Sequence, residues 1–168
     1  MHGQLVCDRV NINDRAVVSA ILRTAMLELR QPSNWHTLSV HGVDQFRTSV
    51  TEPPAAPGWY IITELSTTPL YVGEAENLDR RLNSATGSLD NFNNSKRMSD
   101  PVRNFLKYFV LTGILEGLRV GVVREAAVLA ALALDLELSK HDRCNIEKLL
   151  GIFRVGLVPQ QPAKPTGG

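Results

Sequence analysis

Three prolines fall within five residues, Pro53, Pro54 and Pro57, and they split this chain into stretches of different character. Proline fixes φ and removes a backbone N–H, so residues 51–57 form an extended connector, unsuited to a helix interior or a central strand. Directly after it come two β-rich runs, Trp59-Tyr-Ile-Ile-Thr63 and Leu70-Tyr-Val-Gly73, separated by Ser66-Thr-Thr-Pro69. Aromatic and β-branched residues on both sides of a short turn-forming break predict a hairpin.

Helical signals surround the hairpin. Asn77 is placed to cap a short helix carrying Leu78, Arg81 and Leu82, with Asp79 in its first turn. Residues 87–94 read as a polar loop, and Pro101 opens a helix through Phe105, Tyr108 and Phe109. Gly117 to Val123 alternates as a third strand, and Ala126 to Leu138 reads as a largely buried helix. Asp142 is placed to cap a last helix through Ile146, Leu149, Leu150 and Phe153. Ahead of the connector, Asn13 or Asp14 caps a helix whose Val17, Val18, Ile21, Leu22, Met26 and Leu29 recur at helical spacing and which stops before Pro32. Residues 31–50 show no firm period. This order predicts an α/β fold of the α+β type, with a small three-stranded, mainly antiparallel sheet flanked by helices. The expected organisation is an N-terminal extension with one helix (1–50), the connector (51–57), the main domain (58–161) and a flexible tail (162–168).

Apolar residues make up 43% of the chain and charged residues 21%, enough for a packed core and unlike a disordered or fibrous protein. The longest apolar stretch, Ala126 to Leu134, is too short for a bilayer, which needs about 20 residues. The opening Met-His-Gly-Gln-Leu has no basic flank leading into an apolar run, so a cytoplasmic location without membrane contact is expected. Cys7 and Cys144, the two cysteines, have no metal-ligand spacing and suit a reducing compartment. Net charge is only +1, but its distribution is uneven. Residues 58–76 carry three acids and no base, and residues 77–112 carry six bases against three acids. An acidic patch beside a basic segment is what a site for a metal and a phosphate needs.

Gly58-Trp-Tyr60, Tyr71-Val-Gly73 and the helix with Arg81 follow one another at defined spacing, and this set resembles the GIY-YIG nuclease superfamily. Its pattern is a Gly-x-Tyr strand, a Tyr-x-Gly strand about ten residues on, and a helix with an arginine. The C-terminal pattern of the family is matched by Glu147, then Leu149 and Leu150, Phe153 and Pro159, with Gln160 or Gln161 where an Asn is usual. The resemblance is firm over 57–82 and extends loosely to about 161. It implies a metal-dependent endonuclease acting on DNA, with Tyr60 as first choice of base, Tyr71 assisting it, Arg81 on phosphate oxygens and Glu147 holding one Mg²⁺ or Mn²⁺. Gly73, Arg80, Lys96 and Arg97 are the candidate substrate contacts. Residues 1–50 would then add binding surface, a protein-partner contact or a homodimer face. Restriction, repair and mobile-element roles all fit.

These residue types suit the chemistry. Mg²⁺ prefers carboxylate oxygens and keeps several waters, so one Glu plus a substrate phosphate can hold it. A guanidinium forks onto phosphate oxygens and stabilises the charge that builds there. A phenol with an ordinary pKa near 10 needs a nearby cation to act on the attacking water. Competing readings stay open. Tyr60 and Tyr71 also fit as strand aromatics, and Glu147 as an exposed helix acid paired with Arg143 four residues earlier. Glu74 stands directly after the Tyr-x-Gly triplet, where many family members have Lys. There it either repels phosphate or adds a ligand, which admits a second reading as a binding module with weakened catalysis.

Overall fold

Asp14 starts helix α1 (Arg15–Arg30), its carboxylate accepting from the N–H groups of Ala16 at 2.9 Å and Val17 at 3.4 Å. The structure, a computed structural model, describes residues 9–41, 47–63, 69–83 and 118–159. The expected loop at 87–94, the helix from Pro101, Lys96, Arg97, Cys7, Gln160, Gln161 and the tail lie outside these residues. Ile21, Ala25 and Leu29 recur every four residues on α1 and are buried. Glu28, on the same helix, makes two 3.0 Å bonds to the Arg124 guanidinium, which raises the pKa of that arginine.

A 3₁₀ turn, Pro32–Asn34, leads into β1 (Trp35–His41) and β2 (Arg47–Val50). Then follow β3 (Gly58–Thr63), β4 (Pro69–Ala75), α2 (Leu78–Asn83) and β5 (Arg119–Arg124). The chain continues through α3 (Glu125–Ala131), α4 (Lys140–Ile152) and α5 (Arg154–Leu157). The strands form one sheet in the order β2-β1-β5-β3-β4, with every neighbouring pair antiparallel. The α+β class is as expected, but the sheet has five strands where the sequence suggested three. The added pair comes from residues 31–50, where no period is visible. There β1 bonds β5 through Trp35–Thr37 and β2 through Leu38–His41, so it changes partner midway.

Alternation along β3 sends its side chains to two cores. Tyr60 and Ile62 pack with Val120, Val122, Leu78 and Leu82 on the α2 face. Trp59 and Ile61 pack with Ile21, Leu29, Val123 and Ile146 on the face covered by α1, α3 and α4. Burying each large side chain contributes about 2 kcal/mol. The Trp59 indole also donates to the Arg143 carbonyl at 3.0 Å, fixing α4 against the strand that precedes the site.

Two helix boundaries differ from expectation. The expected helix from Ala126 to Leu138 stops at Ala131, and Ala126, Ala130 and Ala131 are exposed rather than buried. Ala133 adopts φ 53°, and bonds from Ala133 N to Ala130 O and from Leu134 N to Leu129 O close a left-handed C-terminal cap. Ser139, not Asp142, caps α4, its hydroxyl accepting from Asp142 N at 3.1 Å. The Asp142 carboxylate instead accepts from Arg9 N at 3.2 Å and Val10 N at 3.4 Å, tying the start of the described chain to α4. Among the described residues no helix is long and apolar enough to cross a membrane.

Candidate active site

Among the described residues strand β4 lies at one edge of the sheet, and α4 and α5 pack against it. Its register with β3 sets Tyr60 opposite Gly73 and Ile62 opposite Tyr71 on one face, and Trp59 opposite Glu74 on the other. Directly after β4, the Asn77 side chain accepts from Arg80 N at 3.0 Å and starts α2, as expected. This cap fixes the direction of the short helix that carries Arg81. At its far end the Asn83 carboxamide accepts from Val50 N at 2.7 Å and donates to Val50 O at 2.9 Å, so α2 is anchored to β2 as well.

Gly73 is needed for a reason other than the expected approach of a substrate. A Cβ built on it would run into Cζ and Oη of Tyr60 and stand 2.7 Å from Cε1. The aromatic ring, not a ligand, occupies that space. Tyr60 is 0% exposed, whereas Tyr71 is half-buried, with the two ring centroids 6.0 Å apart and tilted by 36°. Of the two tyrosines, Tyr71 is the one that reaches solvent, whereas Tyr60, expected as the first choice of base, does not.

Glu147 projects from α4, which packs against β4. Its carboxyl is held above the ordinary carboxylate range, first by burial and next by the charge of Glu74. A hydrogen bond from the Glu74 backbone N–H and the charges of Arg81 and Lys148 oppose that shift. The same contacts place Glu147 beside the edge strand and within electrostatic reach of Arg81. Arg81 and Glu147 are thus brought within electrostatic reach of each other beside β4, while Tyr60 and Tyr71 stand together on the β3–β4 pair. Arg80, next to Arg81 on α2, is exposed and 3.9 Å from Glu76. Lys96 and Arg97 lie outside the described residues.

Beside these groups opens a cleft of about 320 Å³ whose walls include Asn77, Arg80, Arg81, Lys140 and Arg143. The sequence reading missed the last two. Arg143 does not pair with Glu147 as the four-residue spacing suggested. Its Nε lies 3.2 Å from the Glu74 carboxylate, and its Nη1 donates to Leu138 O at 2.9 Å and stands 3.6 Å from Glu125. Glu125 is buried here, and burial pushes its carboxyl pKa up against the pull of Arg143. The available sequence signal was the shared helix face of Arg143 and Glu147, which pointed to the right neighbourhood and the wrong partner.

Glu147 is the carboxylate expected to hold a divalent cation, and the Glu74 charge that raises its proton affinity is one that a cation there would offset. Among the described residues no group of three or more His, Cys, Asp or Glu side chains could hold a metal. A Mg²⁺ ion here would therefore rest on Glu147, with phosphate and water oxygens completing its shell. Cys144, one turn earlier on α4, has its thiol pKa pushed up, first by burial and then by the charges of Glu74 and Glu147. No protein-family model, curated protein or solved structure matches this chain.

Proposed function

We propose that this chain is a GIY-YIG-type endonuclease that hydrolyses phosphodiester bonds in DNA with the help of Mg²⁺ or Mn²⁺. The observation that carries this reading is the electrostatic coupling of Arg81 and Glu147 beside β4, with Arg81 in the wall of a cleft that holds four basic and two acidic side chains. Glu147 is the residue that would hold the cation, which when bound supplies Lewis acidity at the scissile phosphate. Arg81 binds phosphate oxygens and stabilises the charge that builds on them. Tyr71 orients the attacking water, a role in which a phenol needs a cation close by. Tyr60, locked over Gly73, fixes the position of Tyr71 rather than meeting solvent itself. The N-terminal residues contribute two strands of the sheet, so a DNA, partner or dimer contact through them would involve α1 or the β1–β2 edge.

The test is nicking of supercoiled plasmid in Mg²⁺ or Mn²⁺. Cleavage that needs the metal, disappears in Glu147→Gln and falls by about 10²–10³ in Arg81→Ala supports the reading. Metal-independent nicking that survives in both variants defeats it.

A second reading, a nucleic-acid-binding module without catalysis, is favoured by the full burial of Tyr60 and by Glu74 in the cleft wall. Arg81→Ala separates the two. An enzyme loses cleavage with a modest loss of DNA affinity, whereas a module has no cleavage to lose.

A further inference from the structure

Arg143 is an arginine only 7% exposed in the wall of an open cleft, and its cost in desolvation calls for a reason. A buried ion pair that served packing alone could be replaced by apolar residues without loss. This one is held from two sides, by Glu74 on the edge strand and by the Leu138 carbonyl at the start of α4, with Glu125 behind it. Those contacts engage Nε and Nη1 and leave the two N–H groups of Nη2 out of them. Arg143 also stands where two hollows meet. One, of about 320 Å³, continues to Arg80 and Arg81, and the other, of about 450 Å³, continues to Pro57 and Glu137. Lys140, one turn earlier on the same helix, lines both, as does the exposed Glu76.

We propose that Arg143, with Lys140, forms a second phosphate subsite in this cleft, and that Glu74 is the positioning residue that holds Arg143 there. The class of ligand is an oxyanion of the phosphate type, and on the nuclease reading it is a DNA phosphate next to the one bound by Arg81. The guanidinium is fixed before the ligand arrives, so little rotamer entropy remains to be lost on binding. The pair also accounts for an acid where the family resemblance leads one to expect Lys. Glu74 is paired with the Arg143 guanidinium, so the cation of this part of the wall comes from α4 instead of β4. A lysine at position 74 would therefore not restore a missing function. It would set an ammonium against the guanidinium of Arg143.

The experiment measures binding of inorganic phosphate by shifts of backbone amide resonances, and binding of a labelled DNA duplex in EDTA. Wild type is compared with Arg143→Lys, Glu74→Gln, Glu74→Lys and the double variant Glu74→Lys/Arg143→Leu, with the fold of each checked by circular dichroism. Arg143→Lys keeps a charge at the site and guards against loss of folding. Loss of one fixed charge-assisted contact should weaken phosphate binding by roughly tenfold in Arg143→Lys and Glu74→Gln. Glu74→Lys should be weaker still, and the double variant, which moves the cation from α4 to β4, should recover to within about threefold of wild type. Folded Arg143→Lys with unchanged phosphate binding, a double variant as weak as Glu74→Lys, or a wild type that binds no phosphate near α4 overturns the subsite. Plasmid cleavage run in parallel judges the nuclease reading separately. Phosphate binding that follows the predicted pattern without any cleavage sinks the enzyme and leaves the subsite standing. Cleavage that is indifferent to Arg143 and Glu74 does the reverse.

Discussion

The two faces of strand β4 are built on opposite principles. On the α2 face, Gly73 gives up its side chain to the Tyr60 ring, and shape decides what fits. On the α4 face, Glu74 meets Arg143 and neighbours Glu147, and charge balance decides. Packed rings tolerate almost no added volume, whereas an ion cluster tolerates volume but not the loss of one partner. An edge strand that joins both takes its rigidity from the first face and its chemistry from the second. Alternation brings them within one residue of each other.

The largest effect should come from unbalancing the charged face. Arg143→Leu strands Glu74 and buried Glu125 without their cation and should cost about 3 kcal/mol, the lower end for a broken buried pair because the Glu74 side chain retains 16% exposure. Removing both charges in Glu74→Leu/Arg143→Leu should recover at least half of that loss in thermal or urea melts. If the double variant melts no higher than the single one, the face is not governed by charge balance.

Gly73→Ala probes the other face and should cost about 2 kcal/mol, because the ring it meets is held by the core and cannot swing aside. In a chain of this length that corresponds to a fall in Tm of roughly 4–8 °C. Combining it with Tyr60→Leu, which vacates the space, should return part of the loss. Conservative changes in charge at the same position cannot substitute for that relief, and this distinguishes the two faces. A Gly73→Ala protein that melts with wild type would mean that Tyr60 is free to move, and the two faces would then differ less than argued.

How much of this was legible depended on how local the signal was. The β3–β4 hairpin and the start of α2 follow from short-range rules: β-rich runs, a turn and Asn77 at a cap. The tyrosine, arginine and glutamate set came from the resemblance to a family pattern, not from a local rule of folding. Strands β1 and β2 were not legible, because β1 borrows one partner for its first half and another for its second. The early end of α3 was hidden because Ala133, not glycine, adopts the left-handed cap conformation. The full burial of Tyr60 escaped notice because alternation says which residues share a face, not which face is covered. The Glu74–Arg143 pair spans 69 positions of sequence, and no local rule reaches that far.

The smallest effect on stability should carry the most information about function. The Glu147 carboxyl is raised by burial and by Glu74, so the folded state binds its proton more tightly than the unfolded chain does. The sign follows from linkage: the contribution of Glu147 is fully favourable below the ordinary carboxylate pKa and is lost as pH rises through the raised value. Buried Glu125, raised chiefly by desolvation, adds to the same slope. At neutral pH the ionised Glu147 therefore opposes folding, and Glu147→Gln should melt at or slightly above wild type while flattening the stability profile just above the ordinary carboxylate range. Mg²⁺ should raise the melting temperature of wild type at neutral pH and leave that of Glu147→Gln unchanged. A residue that burdens the empty fold and is relieved by a cation is placed for binding rather than for packing. A clear drop in stability for Glu147→Gln at neutral pH, with no response of wild type to Mg²⁺, would assign Glu147 to the structure of the edge strand and remove the metal ligand from the site.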